Sequence, residues 1–255
     1  MTKSWISVFA VLGVVGGMYG CDSGDEDSEH CESWSYERGD CGPPWNEEED
    51  WQECAVGVDQ SPIDLHAAVL DQALEPLAVD YPPLTDPTIH NNGHTAQVDH
   101  TSGTLMLGER ALKSLQFHVH VPAEHAVDGV RAAMEMHVVH VDDQGKPAAV
   151  VALRFDEGAE NPELAKVWGA MPEEKGDATV STSFDLAALL PDSLAYWMYS
   201  GSLTTPPCSE GLRWIVLEQT GTVSKAQVEA VRDRFGDNAR ALQPLNNRPI
   251  AEYAP

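Results

Sequence analysis

The sequence predicts a mainly β protein in a single domain, with short helices at its periphery. Three observations predict it: five runs of strand-like alternation or β-rich composition, few helical signals, and no long linker or internal repeat after about Trp34. At 255 residues the chain is long for one ordinary domain, but all-β folds of this size form one unit.

The strand signals fall at Ala96–His100, Lys113–Val121, Met134–Val141, Ala148–Phe155 and Leu212–Gln219. Between and after them come the helical ones. Asn161 can cap a short helix through Trp168, Asp185–Leu190 gives a turn or two, and Ser224 starts KAQVEAVRDRFG, with Gly236 as its stop.

The first 20 residues stand apart from this domain. Lys3 supplies a positive start, and Trp5–Gly20 is apolar or small except for Ser7 and Tyr19, too short to span a bilayer. The run reads as an export signal. Met18-Tyr19-Gly20-Cys21 resembles the lipobox of a bacterial lipoprotein, although Leu is usual in place of Met18 and a small residue in place of Tyr19. That resemblance implies cleavage before a lipidated Cys21; ordinary cleavage nearby, with Cys21 a spare thiol, is the other reading. Residues 21–33 then form an acidic tether. An exported chain, periplasmic or held at the cell envelope through lipid, meets an oxidising compartment that permits disulfides. Cys31, Cys41, Cys54 and Cys208 allow three pairings, and proximity favours Cys31 with Cys41 as one guess.

The formal net charge is −26, much of it between Asp22 and Asp50. Nucleic-acid phosphates are recognised by Lys and Arg, so this density argues against a nucleic-acid partner and for a solvated acidic surface.

FHVHVPAEH at 117 carries the chemistry. On a strand Gln116, His118 and His120 project to one face, and Phe117, Val119 and Val121 to the other. In MEMHVVH, Glu135, His137 and Val139 likewise share a face. Three neutral imidazoles from two strands give a tetrahedral metal three ligands and leave the fourth position open. Histidines also occur on surface strands, but Gln116 and Glu135 each stand two residues before a ligand, where they can accept its second N–H.

With these residues the chain resembles the α-class carbonic anhydrases, over about Trp34 to Tyr253. The resemblance rests on WSY at 34, QSPIDL at 60, NNGH at 91, QFHVHVPAEH at 116, EMHVVH at 135, YWMYSGSLTTPPCSEGLRW at 196 and QPLNNRPI at 243. It implies a large twisted, mostly antiparallel central sheet with short peripheral helices, and a catalytic domain over 34–255. It implies Zn2+ on His118, His120 and His137, with Gln116 and Glu135 as their acceptors. Glu124 and Thr204 match the pair that orients the nucleophile, and His94 matches the proton shuttle. Val139, Val150, Leu203, Leu212 and Trp214 match the apolar pocket wall, with Thr205 a polar neighbour of the metal. The family implies a Cys54–Cys208 disulfide as well.

The implied reaction is the reversible hydration of carbon dioxide to bicarbonate and a proton, by attack of zinc-bound hydroxide. Zinc lowers the pKa of its water to about 7, a value known for carbonic anhydrase itself. His94, with a reference pKa near 6.5, then exports the proton. His125 and His140 read as structural; His30, His66, His90 and His100 receive no task, although His100 could assist proton export. Ala123 and Ala241 depart from the family's usual serine and proline, without touching a metal or proton role. A homodimer is compatible with the chain but not legible in it.

Two other readings compete with this one. A cupin-type site would use Glu124 as a ligand, but Leu112 stands where that motif's glycine belongs and TTPP is foreign to it. A non-catalytic binding module would lack a ligand histidine, and all three are present. No HExxH protease motif occurs.

Overall fold

Alternation along two adjacent runs decides the centre of the fold. The computed structural model describes residues 34–37, 42–45 and 49–255. The export signal, Cys21, the tether and the Cys31–Cys41 pairing lie outside the described residues. Contacts divide the chain into Met1–His30 and Cys31–Pro255, and every described residue belongs to the second unit.

Ten strands form one continuous path: β1 (Val69–Leu70), β2 (Thr88–Asn91), β3 (Ala96–Asp99), β4 (Arg110–His120), β5 (Met134–Val141), β6 (Pro147–Glu157), β7 (Gly176–Thr179), β8 (Tyr196–Ser202), β9 (Glu210–Leu217) and β10 (Ala251–Tyr253). Their order across the sheet is β7-β2-β3-β4-β5-β6-β9-β8-β10-β1. All neighbours are antiparallel except β6 with β9 and β10 with β1. The sheet is therefore large and mixed, with most pairs antiparallel as expected.

Every residue of β5 is buried, because both faces of the central strands are covered. Met134, Met136 and Val138 join Phe117, Val119 and Ile215 in one apolar layer. Val139, Val150, Ala152, Trp214 and Val216 pack in a second. At about 25 cal/mol per Å2 of apolar surface, these two layers provide the main drive for folding. They also fix the register: a one-residue slip of β5 would bury its ligand face in hydrocarbon.

Three helical segments sit at the expected places, and a short one, α1 (Gln52–Val56), was not expected. The Asn161 side chain accepts from the Glu163 and Leu164 amides and caps α2 (Pro162–Trp168). Asp185 caps a single 3-10 turn, Leu186–Leu189. Ser224 and Gln227 form a capping box on α3 (Lys225–Phe235), and Gly236 ends it at φ +69°, a value that favours glycine.

The N-terminal segment is stapled to the loop after Thr205 by the Cys54–Cys208 disulfide, Cα–Cα 5.0 Å. Arg240 adds polar ties beside it: its guanidinium donates to Gln60 Oε1, Ser61 O and Cys54 O. Its backbone N–H donates to Glu124 Oε1 at 2.8 Å, which ties this corner to the site.

Candidate metal centre

His118 and His137 are directly opposed on β4 and β5, and His120 opposes Glu135. Opposed residues share a face, so the three imidazoles converge. One ring nitrogen from each lies within 4.8 Å of the others.

Each ring spends its second nitrogen elsewhere. His118 Nδ1–H donates to Gln116 Oε1 at 2.9 Å, and His137 Nε2–H to Glu135 Oε1 at 2.7 Å. His120 Nδ1–H donates at 2.7 Å to the backbone carbonyl of Asn238. The inward atoms are therefore Nε2 of His118, Nε2 of His120 and Nδ1 of His137. Among the described residues, His120 Nε2 is buried without a hydrogen-bond partner. An orphaned buried nitrogen is costly unless something binds it, and three such imidazole donors suit zinc.

Burial, and then the neighbouring imidazoles for His118 and His137, lower the pKa of all three rings, His120 to about 4. They are neutral imidazoles at pH 7, the form in which a metal can be held. Burial would raise the Glu135 carboxyl, but His125 and His137 together hold it well below the usual range. His125 Nδ1 lies 2.6 Å from Glu135 Oε1, and its backbone N–H donates to Oε2 at 2.8 Å. The row continues from His125 Nε2 to the Tyr199 hydroxyl at 2.6 Å and on to Ser61 Oγ at 2.9 Å. His125 is thus held between Glu135 and Tyr199 by both ring nitrogens.

Glu124 is fully buried, and burial raises its pKa against the opposing effects of His137, the Arg240 N–H and the Thr204 hydroxyl. Oε2 has no hydrogen-bond partner among the described residues.

A cavity of about 140 Å3 opens on this centre, lined by Val139, Val150, Leu203, Thr204, Thr205 and Trp214 together with His118 and His137. It is smaller than the roughly 300–1,000 Å3 of a drug-sized site, which restricts it to a very small ligand. Leu212 belongs to the same apolar cluster but does not line the cavity. A larger hollow, about 320 Å3, lies on the opposite face of the sheet among Leu74, Leu77, Met106, Tyr196 and Met198. Among the described residues no ligating cluster lines it, so size does not mark the site.

A second cavity adjoins the first through Gln116, His118 and Thr205, and is lined by Trp34, Asn92, His94 and Gln97. The His94 ring stacks on Trp34, centroids 3.9 Å apart and 13° between planes. Burial, then the charge of Lys175, lowers the His94 pKa. His100 is wholly buried and lies 2.9 Å from Ser114 Oγ, which places it in the core and not on an exit path.

Neither Asn238 nor Lys175 stands out in the sequence, and Trp34 enters only as the first letter of the WSY motif. Asn238 left no signal, because the group it offers His120 is a backbone carbonyl.

Fold and site together define a class: a β-sheet protein with three converging imidazoles, able to hold a metal, under an apolar pocket. Residues 41–254 match the family model described as eukaryotic-type carbonic anhydrase. A carbonic anhydrase of Klebsiella pneumoniae is 43% identical over 226 residues, covering 86% of this chain and 90% of that one. One from Neisseria gonorrhoeae is 38% identical over 224 residues, covering 86% and 87%. The solved α-carbonic anhydrase of Photobacterium profundum superposes with TM-score 0.81 at 40% identity, covering 86% of this chain and all of that one. The chain belongs to the eukaryotic-type carbonic anhydrase family, enzymes of carbon dioxide hydration.

Proposed function

We propose that the site hydrates carbon dioxide reversibly to bicarbonate and a proton, using a zinc ion held by His118, His120 and His137. One observation carries the reading: three neutral imidazoles, each with its outer nitrogen taken by an acceptor, converge beneath a small apolar-walled pocket. Zinc, when bound, supplies a Lewis acid that makes hydroxide available near neutral pH.

The chain's own residues do the rest. Val139, Val150, Leu203 and Trp214 offer carbon dioxide an apolar resting place, with Leu212 supporting the wall from within its cluster. Glu124 accepts the Arg240 N–H on Oε1, and in this reading its carboxylate also takes the Thr204 hydroxyl proton. The Thr204 lone pairs then face the pocket and accept from the attacking water or hydroxide, which orients the nucleophile. Thr205 adds a polar edge at the junction of the two cavities.

The proton leaves by His94. Its ring lies in the adjoining cavity, and its lowered pKa favours quick release to buffer once it is charged.

This reading extends to location. The Cys54–Cys208 disulfide fits an oxidising compartment, hence export to the periplasm or cell envelope. The division into a signal over 1–20, a tether with lipid at Cys21, and a catalytic domain over 34–255 belongs to the same proposal.

Stopped-flow carbon dioxide hydration, before and after zinc removal by a chelator and again after zinc return, tests the function. Rapid hydration lost and restored with zinc is expected. A folded, zinc-loaded protein that does not accelerate hydration would overturn the proposal in favour of a binding module.

A further inference from the structure

His90 has no part in the site described above, yet the strand register carries it to the same face. His137 opposes His118, His118 opposes Gln97, Gln97 opposes His90, and His90 opposes Asp177. One row of side chains thus crosses β5, β4, β3, β2 and β7. Two strand spacings, about 10 Å, separate His118 from His90. Gln97 stands between them and lines the cavity that contains His94.

Both ring nitrogens of His90 face carboxylates. Nδ1 is 2.7 Å from Asp177 Oδ1 on β7, and Nε2 is 3.2 Å from Asp99 Oδ2 on β3. A neutral imidazole has a single N–H, so one of these contacts would set lone pair against lone pair. The arrangement is complete only when the ring carries an extra proton. The His90 side chain is 25% exposed, while Asp99 and Asp177 are 57% and 67% exposed. The ring therefore sits between the cleft row and two carboxylates in contact with bulk solvent.

His90 and His94 are biased in opposite directions. Burial lowers the His90 pKa, but the hydrogen bonds and charges of Asp177 and Asp99 outweigh it and raise the net value. His94 is lowered by burial and by Lys175, which lies two residues before Asp177.

We infer that His90, with Asp99 and Asp177, is a second proton-accepting station at the rim of the cleft, parallel to His94. Resting on the hydration reading above, the station takes the proton released when water and carbon dioxide become bicarbonate. The ring holds it as imidazolium, and it passes to buffer beside the exposed carboxylates, which returns the ring to the neutral form. A solely structural role, tying β7, β2 and β3 together, is the alternative.

The test compares His94→Ala with His94→Ala/His90→Gln in stopped-flow hydration, at low and high buffer. At low buffer the double variant is expected to lose at least about threefold in kcat relative to the single variant. High buffer should erase that difference, and kcat/KM should be equal in the two proteins. Equal kcat at low buffer would leave only the structural role. NMR titration of the His90 ring gives an independent reading: its pKa should exceed the reference value of about 6.5 and fall in Asp99→Asn/Asp177→Asn. Titration at or below the reference would also overturn the inference. A failure of the hydration reading itself would show in the kcat/KM of the unaltered protein, separately from either comparison.

Discussion

Asn238→Ala probes how the least legible ligand, His120, is held. The Asn238 side chain is fully buried and makes three hydrogen bonds to backbone groups around the site. Oδ1 accepts from the Val121 N–H at 2.7 Å, and Nδ2 donates to the His94 and Val119 carbonyls at 3.0 Å each. Val119 O keeps a second donor in the Thr95 hydroxyl, but the Val121 N–H is left unpaired. At about 1 kcal/mol per bond, with about 1–3 kcal/mol for a buried group left unsatisfied, the loss should be about 3–5 kcal/mol. For a unit of this size that is a fall in Tm of roughly 10 °C. The same side chain steadies the carbonyl that accepts from His120 Nδ1, so zinc affinity should drop about 10–100-fold. Calorimetry of metal-free and zinc-loaded protein, with chelator competition for the metal, measures both. If the variant keeps its stability within about 1 kcal/mol and its zinc affinity unchanged, the reasoning fails. His120 would then be oriented mainly by Glu124, whose Oε1 lies 3.6 Å from the same nitrogen.

Two further outcomes follow from the buried groups and the staple. Breaking Cys54–Cys208, which closes a separation of 154 residues, should cost about 2–5 kcal/mol in denaturant unfolding, and unchanged unfolding under reduction would contradict this. Acid should destabilise the fold through His140, which burial lowers to about 4 and whose Nε2 lies 3.1 Å from the Tyr81 hydroxyl. The unfolded chain takes up this proton near pH 6.5 and the native ring only near 4, so stability is lost as pH falls through that window, by about 3 kcal/mol in total. Unfolding free energies measured from pH 7 to 4 should decline less steeply in His140→Asn, and a slope of opposite sign would refute the argument.

The ligand strands were legible because their period of two and their length leave little ambiguity. Met134–Val141 falls where it was expected, and Arg110–His120 extends the Lys113–Val121 reading at its start and ends one residue earlier. Local capping chemistry likewise placed Asn161, Ser224 and Gly236. The order of strands was beyond local pattern, since β6 beside β9 joins Ala149 to Arg213 across the chain, and only the family resemblance implied the sheet. Within the site, acceptors two residues from their ligands could be read, as with Gln116 and Glu135. The acceptor for His120 lies 118 residues away and is a main-chain oxygen, which any residue type can provide. Trp34 could be read as a motif letter but not as the surface on which His94 stacks.

The sharing of one carboxylate between His125 and His137 has a consequence for tuning. Glu135 divides its negative charge between a ligand ring and a ring that leads to Tyr199 and Ser61. A weaker hold on His125 would leave more of that charge to His137 and make it a more generous electron donor; a firmer hold would do the reverse. With zinc bound as proposed, the QSP segment at 60 would act as a remote control on the electronic character of the metal, adjusting the acidity of what it holds while every residue facing the substrate stays the same.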